Sequence, residues 1–86
     1  MTMEEIENTL LTIIDSVNGR ISSEQAQNIR EFTTAGEPGV ALEILCDNLD
    51  DDSIAITTDT LSLIRTIGQA MGMDSDYWER LIIQEQ

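Results

Sequence analysis

The densest chemistry in this 86-residue chain lies in CDNLDDDSIAIT, residues 46–57, where the thiol of Cys46 and the hydroxyl of Ser53 stand among the carboxylates of Asp47, Asp50, Asp51 and Asp52. Oxygen ligands at alternate positions between two helices are the pattern of a calcium loop. Here Asn48, Asp50, Asp52, the Ile54 carbonyl, Ile56 and Asp59 fall at loop positions 1, 3, 5, 7, 9 and 12. The register fails in three places. Ser53 stands where the sharp turn needs glycine, Ala55 where a larger apolar residue is usual, and Asp59 where a bidentate Glu closes the site. Calcium binding is therefore not expected. Two carboxylates doing acid and base work would need a cleft that perturbs one of them, and a chain this short offers no obvious deep pocket. The acids around Cys46 disfavour its thiolate, so this residue reads as a small buried side chain and not as a nucleophile.

Net charge narrows the field further. Seventeen acidic residues face four basic ones, Arg20, Arg30, Arg65 and Arg80, with no lysine or histidine, for a net charge of -13. Nucleic acids and anionic membranes are held by clustered Lys and Arg, so neither is an expected partner. A basic protein is, because the field of the whole chain attracts cations. With no histidine and one cysteine there is no zinc set and no Ser–His or Cys–His nucleophile pair. No enzymatic activity, metal or cofactor is expected. The start MTMEEIENTLL carries acids where a secretion signal needs a basic stretch and an apolar run. A cytoplasmic protein without a membrane span follows.

The elements that must position these residues can be read from spacing and caps. Thr2 with Glu5 forms a capping box, after which Ile6, Leu10, Ile13, Ile14 and Val17 recur at helical spacing until Gly19. Ser22 with Gln25 repeats the signal for a second helix over about 23–35, with Ala26, Ile29 and Phe32 inward and Gly36 at its C-terminal stop. Pro38 suits the first turn of a third helix, whose apolar face is Val40, Ala41, Ile44, Leu45 and Leu49 and whose opposite side carries Glu43 and Asp47. Ile54 to Ile56 form an extended bridge. A fourth helix, capped by Thr57 or Thr58, turns Leu61, Ile64, Ile67, Gly68 and Met71 inward before Gly72. A short last helix, capped by Asp74 or Ser75, brings Tyr77, Trp78, Leu81 and Ile82 back onto the others, with Trp78 closing the bundle or anchoring a partner. The expected fold is all-α, a compact bundle of four to five short helices forming one domain over residues 1–86.

Two resemblances bear on function. Asp52-Ser53-Ile54 is similar to the Asp-Ser-Leu of acyl carrier proteins, which are also small, acidic and helical. That similarity implies a carrier with Ser53 as the attachment site of phosphopantetheine. The architecture departs from it, since two predicted helices precede Ser53 and a β-branched bridge follows. A plain loop serine is the other reading.

The stretch AGEPGVALEILCDNL (Ala35 to Leu49), followed by a short connector, a helix, GQAMGMD (Gly68 to Asp74) and YWERL (Tyr77 to Leu81), resembles the MafI-type immunity proteins of bacterial polymorphic toxin and contact-dependent growth inhibition systems. The similarity covers roughly residues 30–82 and is most specific at the Ala-Gly-Glu-Pro-Gly corner and the Ala-Leu-Glu-x-Leu-Cys-Asp-x-Leu that follows. It departs from the family between Asp50 and Ile56. The resemblance implies a non-enzymatic antitoxin that binds and neutralises a cognate toxin C-terminal domain, commonly a nuclease. The acidity of the chain points the same way, because nucleases hold nucleic acid on basic surfaces. On that reading Glu43, Asp47, Asp50, Asp51 and Asp52 form the partner-facing patch. A merely solvated acidic loop is the alternative.

Overall fold

In the computed structural model, which describes residues 1–84, the helices are α1 (Met3–Ser16), α2 (Ser23–Thr34), α3 (Pro38–Asp51), α4 (Thr58–Ala70) and the single-turn α5 (Asp76–Glu79). Among the described residues there is no strand, and the fold is an all-α bundle. Among the described residues no helix is long and apolar enough to cross a membrane.

Helix starts follow the expected chemistry. Thr2 Oγ1 accepts from the Glu5 N–H at 3.1 Å while Glu5 Oε1 accepts from the Thr2 N–H at 3.0 Å, and Ser22 with Gln25 closes the same reciprocal pair at 3.0 and 2.8 Å. Each box satisfies two backbone donors that a helix start otherwise leaves open. The hydrogen bond from the Thr2 backbone holds the Glu5 carboxyl below its ordinary value. Of the two threonines at the start of α4, Thr57 is the cap, accepting from the Thr60 N–H at 3.2 Å, and Thr58 is the first helical residue. At α5 the Asp74 carboxylate accepts from the Asp76 N–H at 3.0 Å, whereas Ser75 caps with its backbone alone.

Helix ends use one repeated device. Beyond α2 the Glu37 N–H reaches the Phe32 carbonyl at 2.9 Å with Gly36 at φ +82°, and beyond α4 the Met73 N–H reaches the Gly68 carbonyl at 2.9 Å with Gly72 at φ +68°. These are Schellman closures, which need a left-handed residue and so favour glycine. Beyond α3 the same closure runs from the Ile54 N–H to the Leu49 carbonyl at 2.9 Å, but its left-handed residue is Ser53 at φ 52°. The first helix departs from expectation: it stops at Ser16 and a tight turn through Gly19 at φ +89° follows, so Gly19 shapes the turn and not the helix end.

The core is built from one face of each long helix. Ile6, Leu10, Ile13 and Ile14 of α1, Ile29 of α2, Leu42, Leu45 and Leu49 of α3, and Ile64 and Ile67 of α4 meet there, joined by Val17, Ile56, Trp78 and Leu81. α1 packs on α2, α3 and α4; α2 packs along α3; α5 closes over α3 and α4. Two expectations need correcting. Leu42 is fully buried and Val40 is exposed, because the inward face of α3 is centred between Leu42 and Leu45, and at about 100° per residue Val40 falls on nearly the opposite side of the helix. Ile82 is 49% exposed, since the chain is extended beyond α5 and alternates its side chains, so Ile83 packs inward instead. There the Ile56 N–H donates to the Ile82 carbonyl at 2.9 Å and the Gln84 N–H to the Ile56 carbonyl at 2.8 Å.

Trp78 is 3% exposed and lies on Gly68. A Cβ at Gly68 would fall 2.7 Å from Trp78 Cη2 and closer still to Cζ3, so α4 can admit the indole only because residue 68 has no side chain. This seat fixes α5 against the bundle.

Candidate functional site

The acids singled out by the sequence are arranged around α3. With Ala41, Leu42, Leu45, Cys46 and Leu49 turned to the core, 3.6 residues per turn leave two polar flanks. Glu43, Asp47 and Asp50 run along one, towards α5. Ile44, Asn48 and Asp52 run along the other, towards α2. Asp51 lies between them and is exposed to solvent. The five candidate residues are thus not one patch: three share a flank, one stands on the opposite flank and one points outward.

The α5 flank is occupied by the chain itself. Arg80 Nη2 bonds Asp47 Oδ1 at 2.9 Å and Arg80 Nε lies 3.3 Å from Asp50 Oδ2. One guanidinium bridges two carboxylates a turn apart. The charge of Glu43, and then its hydrogen bond with the phenol, push the Tyr77 hydroxyl above its ordinary value. These side chains are substantially solvent-exposed, so the ion pairs contribute only about 0–1 kcal/mol each and orient α5 more than they hold it.

The α2 flank is open. Ile44, Asn48 and Asp52 face Glu24, Gln27, Asn28 and Glu31 of α2 across a groove of about 780 Å³, whose end is tied by Gln25 Nε2 donating to Asp52 Oδ2 at 3.2 Å. The lining combines carboxylates and carboxamides with the half-buried Ile44. Among the described residues none of the four arginines lines it. Arg30, although on α2, turns to Asp15 at 3.0 Å, and Arg20 donates to the Ala55 carbonyl, tying the α1–α2 turn to the α3–α4 connector. Sequence reasoning assigned Ala26, Ile29 and Phe32 of α2 to packing and passed over Glu24 and Glu31. Their spacing of seven, which places both on one helical stripe, was the available signal.

The last turn of α3 carries Asp50 and Asp51, with Asp52 as its C-cap. Carboxylates there meet the negative end of the helix dipole, an arrangement that costs roughly 0.3–1 kcal/mol per charge at a surface. Helix stability does not explain their placement.

The remaining candidates have local roles. Asn48 and Asp50 are inside α3, so the segment does not have the course of a calcium loop, and among the described residues no three metal-ligating side chains converge. Ser53 is exposed and left-handed at the C-terminal closure of α3, before the connector, and not at the start of a helix. Cys46 is buried, and desolvation followed by the neighbouring Asp47 charge pushes its thiol up to about 12. No protein-family model matches this chain, and neither a curated protein nor a solved structure does.

Proposed function

We propose that this chain is a non-enzymatic inhibitor that captures a basic protein domain through its acidic surface, in the manner of the immunity proteins that residues 30–82 resemble. The partner is then a cognate toxin domain, and a nuclease is the class whose substrate-binding surface has the required charge. One observation carries the reading: carboxylates are concentrated at the C-terminal end of α3, where the helix dipole makes them unfavourable, while three of the four arginines are turned to Asp15, to the Ala55 carbonyl and to Asp47 with Asp50. Such a surface imitates the phosphate row that a nuclease binds. Long-range attraction to a chain of net charge -13 speeds encounter, by about 10 to 1,000-fold at low salt for steered pairs.

Protection is the test. The product of the reading frame beside the one encoding this chain is produced in sensitive bacteria with and without it. Growth should arrest without this chain and recover with it, and the purified pair should form a complex that weakens steeply with salt. Continued arrest, or recovery with no complex at low salt, would discard the inhibitor reading.

A further inference from the structure

We propose that Asn18–Gly19 is a site of self-modification, at which the chain converts Asn18 to aspartate and isoaspartate through a cyclic imide, at a rate restrained by Arg20. The reaction does not depend on the partner of the acidic surface. Asparagine is a thermolabile side chain, because its carboxamide carbon is open to attack by the backbone nitrogen of the residue that follows. Attack is favoured where that residue has no side chain in the way and where its nitrogen is not engaged in a hydrogen bond.

The chain holds four asparagines, and one of them meets both conditions. Asn8, Asn28 and Asn48 lie within α1, α2 and α3 and precede Thr9, Ile29 and Leu49. There the following nitrogen belongs to the helical ladder. Asn18 precedes Gly19 in the exposed turn between α1 and α2. The Asn18 and Arg20 N–H groups donate to the Asp15 and Val17 carbonyls at 3.2 and 3.0 Å, whereas among the described residues the Gly19 N–H donates to no backbone carbonyl. Apart from its two chain neighbours, nothing lies within 4 Å of the place where a side chain on Gly19 would stand.

The same turn sets the restraint. Gly19 at φ +89°, Asn18 at negative φ and the bond from the Arg20 N–H to the Val17 carbonyl make a type II turn. Its first central residue has ψ of about +120°, which turns the Gly19 nitrogen away from the Asn18 side chain. Ring closure therefore waits for rotation about Asn18 ψ, and that rotation opens the turn. Val17 and Ile21 anchor it in the core, and the Arg20 guanidinium ties it to the Ala55 carbonyl. Arg20 is the exposed anchor, so its removal loosens the turn without opening a cavity.

The atoms balance with water as the one co-reactant. The Gly19 nitrogen loses its proton to hydroxide and bonds to Asn18 Cγ, the carboxamide C–N bond breaks, and ammonia leaves. Water then opens the five-membered imide. Cleavage at Cγ restores the main chain with an aspartate, and cleavage at the backbone carbonyl carbon leaves the chain running through Cγ as isoaspartate. Either product adds a negative charge beside Arg20.

The test follows the full chain at mildly alkaline pH, folded and in urea, by peptide mass with fragmentation that separates aspartate from isoaspartate. In the folded chain Asn18 should convert ahead of Asn8, Asn28 and Asn48, with both products and a rate proportional to hydroxide. N18Q, whose closure needs a six-membered ring, should stay intact at that position. R20A should convert several-fold faster than the native chain while remaining helical by circular dichroism. Survival of Asn18 in the folded chain over a period that converts it fully in urea, or equal conversion at a helical asparagine, would overturn the site. A native rate equal to that in urea would overturn the restraint without recourse to a variant, as would an R20A rate equal to the native one.

Discussion

The two flanks of α3 have opposite fates. Glu43, Asp47 and Asp50 meet Tyr77 and Arg80 of the chain's own C-terminal segment, whereas Asp52 and Asn48 face α2 across an open groove. What separates them is not the acids but the seat of one indole. Trp78 rests on Gly68, and that contact sets α5, and with it Arg80, over one flank only. A charged surface in this molecule is therefore closed or open according to packing several residues away. Acid count alone says little about where a cation can bind.

The largest way to break the comparison is Trp78→Ala. Removing a buried aromatic costs about 3–5 kcal/mol, a large share of the margin of a chain this short. Urea unfolding should show that loss. Cys46 should report the local event separately: its thiol is buried and pushed up to about 12 in the intact fold, so it resists labelling, and loss of the α5 seat should raise the labelling rate under conditions where the bundle remains helical. A variant whose Cys46 stays as protected as before would mean that α5 is held by something other than the indole.

Gly68→Ala attacks the same seat from the α4 side. Its methyl would collide with the indole, and the expected loss is about 1–3 kcal/mol despite the gain in helix propensity. An unchanged or raised melting temperature would show that Trp78 can move aside at little cost.

Ser53→Gly sharpens the junction at which the flanks diverge. Ser53 holds the left-handed position that Gly36 and Gly72 hold at the other two closures, and a side chain there costs roughly 1–2 kcal/mol. Glycine should stabilise the protein by about 1 kcal/mol after its own loss of chain freedom. Destabilisation would point to a role for the Ser53 hydroxyl that its exposed position does not suggest.

The smallest effects belong to the ion pairs. Arg80→Ala should cost less than about 1 kcal/mol in urea unfolding, since its pairs with Asp47 and Asp50 are exposed. Glu43→Gln should leave stability at neutral pH almost unchanged and lower the Tyr77 midpoint towards its ordinary 10.0, read from tyrosinate absorbance since this is the one tyrosine. The sign follows from linkage. The folded phenol titrates above the unfolded one, so its contribution is complete below the unfolded value and is lost as pH rises through the folded value. A midpoint that does not move would remove Glu43 from the α5 flank.

What the amino-acid order determined by itself was most of what acts within a turn or two. The capping boxes at Thr2 and Ser22, the stop at Gly36, Pro38 in the first turn of α3 and the apolar stripe of α1 all appear where the residues place them. Each depends on neighbours three or four positions away, and the backbone has few ways to satisfy them. The net charge needed no coordinates either. Tertiary structure decided the rest. The inward register of α3, which buries Leu42 and exposes Val40, and the exposure of Ile82 depend on how helices from distant parts of the chain meet. So does the division of Glu43, Asp47, Asp50, Asp51 and Asp52 between two flanks and solvent. Helical periodicity places those residues around α3, but only the packing of α2 and α5 against it determines which flank is covered.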